Sequence, residues 1–257
     1  MLPIGDDNHG ARGVPVVTVG LIVINVLVYL YELTLSLPDL QHFIFTYGAI
    51  PAEIERGTDL YTLFTSMFVH GGFAHVAGNM LFLWIFGDNI EQRFGSVLYL
   101  IFYVGTGLAA SGAHILTDPG SLVPTVGASG AISGVMGAYI LLYPLNRVRT
   151  FIWYVGVIHV PAYIYLGVWF LTQLVSGAAA LSVPTAQSTG VAFWAHIGGV
   201  AAGGVVALLL KPLRPEPAAA PPPGGHLHTR LRRALGRLAV SAFINTVREF
   251  DARRATE

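Results

Sequence analysis

Residues 13–31, 60–87 and 150–210 of this chain contain no Asp, Glu, Lys or Arg. A charge-free apolar run of ~20 residues can cross a bilayer as a helix, and a chain folded in water has little use for several of them. Charged residues are 11% of the whole, against about 25% in a soluble domain. The expected fold is therefore an all-α polytopic membrane protein, in which each span satisfies its own backbone amides. There is no cysteine, which excludes disulfides and thiol chemistry.

Six spans can be drawn, at about 14–33, 73–90, 97–116, 129–143, 151–175 (with Pro161 inside) and 189–210. Basic residues set their direction. Arg12, Arg93, Arg147, Arg149, Lys211 and Arg214 fall at one set of ends, and the opposite loops hold only Arg56. Both termini are expected in the cytoplasm, with the loops after spans one, three and five facing outward. Residues 1–13 form a cytoplasmic segment without the basic, short-apolar layout of a cleavable signal. The membrane domain is 14–210. A Pro/Ala/Gly linker (211–225) leads to a tail, 226–257, in which Leu227, Leu231, Leu235 and Leu238 recur at helical spacing among Arg230, Arg232, Arg233 and Arg237. A basic amphipathic helix against anionic lipid fits this tail, and so does a solvated one.

Residues 126–134 read Val-Gly-Ala-Ser-Gly-Ala-Ile-Ser-Gly, one serine between glycines where a loop passes into an apolar helix. A small-residue stripe is ordinary packing in membrane helices. Depth argues for more. At a rise of ~1.5 Å per residue, Ser129 lies ~21 Å from the inner end of span four, several ångströms below the outer surface of a ~30 Å core. His196 is as far from Leu210 as Ser129 is from Tyr143, so the two reach one level. His75 and Asn79, four apart on one face of span two, reach it as well. A serine hydroxyl becomes nucleophilic when a neutral imidazole takes its proton. The acyl-transfer oxyanion then needs preorganised donors, and Asn79, His75 and the Ser129 N–H at a helix N-terminus are candidates. No span carries a carboxylate in its apolar middle, so the pattern is a Ser–His dyad. Gly127 and Gly130 suit a tight loop-to-helix turn. Gly130 and Gly134 on span four, with Gly199 and Gly203 on span six, suit close helix approach.

The run His70-Gly-Gly-Phe-Ala-His75-Val-Ala-Gly-Asn79, then Gly127-Ala-Ser129-Gly130, then Ala195-His196-Ile-Gly-Gly199, resembles the rhomboid family of intramembrane serine proteases over about residues 14–210. The resemblance implies a six-helix bundle with Ser129 as nucleophile and His196 as general base. It implies that His75 and Asn79 bind the oxyanion and that His70 lies near a water-accessible cavity. It also implies single transmembrane helices as substrates, cut near the membrane face. Two positions depart from the family pattern. Tyr61-Thr62 stands where many relatives carry Trp-Arg in the first outer loop. Ser133 stands where some bacterial relatives stack a tyrosine on the histidine, which leaves the orientation of His196 to Trp194 or to the glycine ridge.

The expected activity is thus a serine endopeptidase acting on transmembrane proteins in the lipid bilayer of a bacterial or archaeal plasma membrane, with no cofactor, metal or nucleic-acid partner. His114 and His159 read as packing or interfacial residues. No His-Glu-x-x-His pattern suggests a metal, and a transporter would carry ionisable groups at the midplane. The rival reading is a non-catalytic rhomboid-like binder of membrane helices. The presence of both Ser129 and His196 separates the two.

Overall fold

The structure, a computed structural model, describes residues 1–7, 14–182 and 192–211. Arg12, Arg214, the start of span six at 189–191, most of the 211–225 linker and the 226–257 tail lie outside the described residues. In chain order the elements are β1 (Leu2–Asp6), α1 (Val16–Glu32), the short helices α2 (Leu37–Tyr47), α3 (Pro51–Glu55) and α4 (Thr62–Thr65), then α5 (Phe73–Phe94), α6 (Ser96–Thr117), α7 (Ser129–Leu142), β2 (Arg147–Ile152), β3 (Gly156–Pro161), α8 (Ala162–Ser182) and α9 (Phe193–Leu210). Three of these, α6, α8 and α9, are long and apolar enough to cross a membrane, while α1 and α7 are shorter apolar helices.

The expectation of an all-α chain fails at one end of the bundle. β1, β2 and β3 form an antiparallel sheet in that order, with Leu2 opposite Phe151 and Val148 opposite Val160. Residues 147–150 alternate basic with apolar or hydroxyl side chains, Val148 and Thr150 being buried and Arg147 and Arg149 exposed. That period of two is the signature of a half-buried strand. The drawn fifth span, 151–175, is therefore wrong at its start. Absence of charge alone does not separate a β-branched hairpin from a helix, and Pro161 closes β3 instead of sitting inside α8. Residues 2–6, expected in a separate N-terminal segment, are part of this sheet.

Buried carboxylates tie that end together. Asp6 accepts hydrogen bonds from Asn89 Nδ2 and from the Tyr139 hydroxyl, both at 2.7 Å, joining β1 to α5 and α7. α1 begins after Pro15 with no side-chain cap of its own. Its first free amides, on Val17 and Thr18, donate to the Glu91 carboxylate at 3.0 and 2.8 Å. A negative charge at that end also complements the helix dipole.

At the other end the chain leading into α7 is stitched to the segment after α1. Ala49 and Thr125 exchange backbone hydrogen bonds of 2.9 and 2.8 Å, Ala52 N–H donates to Ser121 O, and Gly127 N–H donates to Ser66 O. Tyr61 donates through its hydroxyl to Thr46 O at 3.0 Å, and Thr65 to Tyr47 O at 2.8 Å. These bonds anchor the loop whose Trp-Arg pair is missing here.

α7 is nearly surrounded, packing on α9, α6, α5 and α8. Its seam with α9 is where glycine is required. A Cβ on Gly199 would strike the carbonyl oxygen of Gly130, and one on Gly203 that of Gly134. Gly130 and Gly134 themselves open toward Ala110 and Thr106 of α6. The small residues of α7 thus make room for α6, and those of α9 make room for α7.

Candidate active site

Ser129 is the first residue of α7, so its hydroxyl stands at the mouth of the helix and its N–H is among the amides without an intrahelical partner. The close α7–α9 seam brings His196 opposite it, with Nε2 2.9 Å from Ser129 Oγ. Ser133, one turn on, donates to Ser129 O at 2.7 Å and does not reach the imidazole. Two helices far apart in sequence therefore set a hydroxyl and an imidazole at hydrogen-bond distance.

Gly127 precedes them with a φ of +119°, a region that disfavours any side chain. A Cβ there would lie 2.6 Å from His75 Nε2 and 3.6 Å from Asn79 Nδ2. The glycine lets the loop run against both side chains of α5. A cavity of about 960 Å³ opens here, lined by Ser129, His196, His75, Asn79 and Trp169 and bounded by the loop 123–127. His114, read from sequence as a packing residue, also lines it.

His70 departs from expectation. It is 1% exposed and does not line the cavity but stands one layer behind it. Its Nδ1 is 3.2 Å from Phe68 O, an acceptor, so the proton sits there and Nε2 accepts from Asn79 Nδ2 at 3.0 Å. Burial, reinforced by the neighbouring His75, pushes its imidazole down to about 4, which keeps it neutral for that role. The His70 backbone N–H in turn donates to the buried Glu32 carboxylate of α1 at 3.1 Å. One N–H of the Asn79 amide is thereby committed, and the amide plane is set.

Two side chains of α8 complete the surroundings of His196, and the sequence reading missed both. Gln173 places Oε1 2.8 Å from His196 Nδ1, and the ring of Trp169 lies 5.8 Å away, tilted by 37°. Trp194, expected beside the imidazole, turns toward Gly177 instead. The signal for Gln173 was present: it is the single amide side chain in a mostly apolar span, and a polar group there needs a partner. His159 falls on β3, paired with Arg149, away from the site.

The Rhomboid domain family matches residues 57–213. The chain is 33% identical over 158 residues to Rhomboid protease GluP of Bacillus subtilis (strain 168), covering 56% of this chain and 30% of that protein. It is 35% identical over 103 residues to RHOMBOID-like protein 5 of Arabidopsis thaliana, covering 40% and 32%. It is 25% identical over 214 residues to Rhomboid protease AarA of Providencia stuartii, covering 76% and 73%. The chain spans about a third of the length of the first two of these relatives.

Proposed function

The chain belongs to the rhomboid family of integral membrane proteins, and on that premise we propose that it is an intramembrane serine endopeptidase working through a Ser129–His196 dyad. The observation that carries this reading is the 2.9 Å separation of Ser129 Oγ and His196 Nε2 at the wall of a cavity. A substrate segment unwinds locally against this cavity, because non-helical backbone at membrane depth is tolerated only beside protein or water. Ser129 Oγ attacks the carbonyl carbon while His196 Nε2 takes its proton. The oxyanion is held by the Ser129 N–H at the start of α7, by the second N–H of Asn79 and by His75. His70 acts from behind, orienting Asn79. His196 then protonates the leaving amine as the acyl bond forms, and a water deprotonated by His196 releases the acyl-enzyme. Gly127, Gly130, Gly199 and Gly203 serve by close approach.

The same reading takes α1, α5, α6, α7, α8 and α9 as six spans within the protease domain 14–210, and transmembrane-helix proteins in the bilayer as substrates. Cytoplasmic termini are supported by Arg93 in the last turn of α5, Arg147 and Arg149 on β2 and Lys211 just after α9, all on the side of the sheet.

The test is turnover of a labelled transmembrane substrate by protein reconstituted in lipid. Ser129→Ala and His196→Ala are each expected to lower kcat on the order of 10³-fold or more. Equal turnover by wild type and both variants ends the proposal. Substrate capture by wild type without any cleavage favours the non-catalytic binder.

A further inference from the structure

We propose that Gln173 is a positioning residue, whose side-chain oxygen holds the His196 ring in the tautomer that leaves Nε2 free to accept the Ser129 proton; this rests on the protease reading above. A neutral imidazole carries one N–H and one lone pair, and a general base needs the lone pair on the nitrogen facing the nucleophile. In serine hydrolases a third group bonded to the far nitrogen secures this. Here the far nitrogen, Nδ1, lies 2.8 Å from Gln173 Oε1.

The amide is itself oriented. Gln173 Nε2 faces the Trp169 carbonyl oxygen at 3.4 Å and Thr172 Oγ1 at 3.3 Å, two acceptors on its own helix, so the oxygen is the end presented to His196. An amide oxygen only accepts, so Nδ1 carries the hydrogen and Nε2 is bare toward Ser129. Trp169, one turn before Gln173 on the same face of α8, covers the imidazole and limits its rotation. The place where a stacking aromatic could come from α7 is taken by Ser133, whose hydroxyl is occupied with Ser129 O. Orientation of the base has thus moved from α7 to α8. A carboxylate in this position would have to be buried as a charge inside a membrane helix, which is costly. Glutamine supplies the acceptor without the charge, and gives up the extra stabilisation of an imidazolium that a carboxylate offers.

The experiment reads the ring directly. Full-length protein labelled with ¹⁵N-histidine is reconstituted in lipid nanodiscs, and the His196 signals are assigned by their loss in His196→Ala. Wild type is expected to show Nδ1 protonated and Nε2 bare. Gln173→Leu is expected to mix the tautomers and lower kcat on a transmembrane substrate about tenfold, with KM and melting temperature unchanged. Gln173→Glu, an acceptor of the same length, is expected to restore the Nδ1–H tautomer and most of kcat. Unchanged tautomer and kcat in Gln173→Leu overturn the proposal, as does a loss that follows only a lowered melting temperature and is not rescued by glutamate. A wild-type ring in the stated tautomer, released by Gln173→Leu, in a protein that cleaves nothing would sink the protease reading while leaving the hold of Gln173 on the ring intact.

Discussion

Asn79 and Asn89 on α5, like Ser129 and Tyr139 on α7, are ten residues apart, ~15 Å of helix, and they belong to two polar clusters of opposite character. At the sheet end the bonds are made by carboxylates whose donors come from the protein: Asp6 with Asn89 and Tyr139, Glu91 with Val17, Thr18 and Ser96. At the cavity end hydroxyl, amide and imidazole groups make the bonds around Ser129, with the Glu32 carboxylate one layer back on the His70 N–H, and bonding capacity is left over, in the second N–H of Asn79 and the N–H of Ser129. A buried charge is tolerable where fixed donors surround it. Neutral groups at a cavity wall hold donors in reserve for whatever enters. Stability and the proposed chemistry are thus separated along the same two helices.

The sharpest way to break that separation is at Asn79. Asn79→Ala is expected to lower kcat about 10²–10³-fold, the usual worth of one oxyanion donor, and to cost only about 1 kcal/mol of stability, because His70 Nε2 loses its donor. A large loss of stability with normal turnover would move Asn79 into the structural cluster. Asp6→Ala is the converse. It removes the carboxylate that accepts from Asn89 and Tyr139, taking the Tyr139 hydroxyl's acceptor and leaving Asn89 with Asp88, at a cost of about 3 kcal/mol, measured by unfolding in detergent. The kcat of the molecules that remain folded is expected to be unaltered.

Gly203→Val lies on the seam between the clusters and should damage both. Its side chain meets the Gly134 carbonyl, costing about 1–3 kcal/mol by overpacking, and the widened seam draws His196 from Ser129, so kcat falls as well. Melting and turnover measured on one preparation test that coupling. The smallest effect is expected from Glu91→Gln, which removes charge at the start of α1 and replaces one of two accepting oxygens by an NH2, for about 1–2 kcal/mol, and leaves turnover alone.

Much of this was legible in the residues. The helices Val16–Glu32, Phe73–Phe94, Ser96–Thr117 and Ser129–Leu142 lie within a few residues of where charge-free runs put them, because lipid selects long apolar stretches with little regard to what they touch. That Ser129, His196, His75 and Asn79 reach one level, where they line one cavity, could be read from residue type and depth. The hairpin at 147–161 was missed because its strands are as free of Asp and Glu as a span, and only the two-residue alternation around Val148 betrays them. His70 was expected at the water and stands behind Asn79, since distance from a motif says nothing about which side of it a ring occupies.

The sequence by itself determined the membrane class, the helices that could carry a nucleophile and a base, and the glycines that permit their approach. These depend on composition and on spacing along one helix. Only the tertiary structure decided that Gln173 and Trp169, not Trp194, surround His196 and that α7 shows its small residues to α6. The reason is rotational. α8 and α9 carry only a few polar side chains, so no continuous polar stripe marks which face turns inward, and the partner of a side chain on such a helix is chosen by packing against its neighbours.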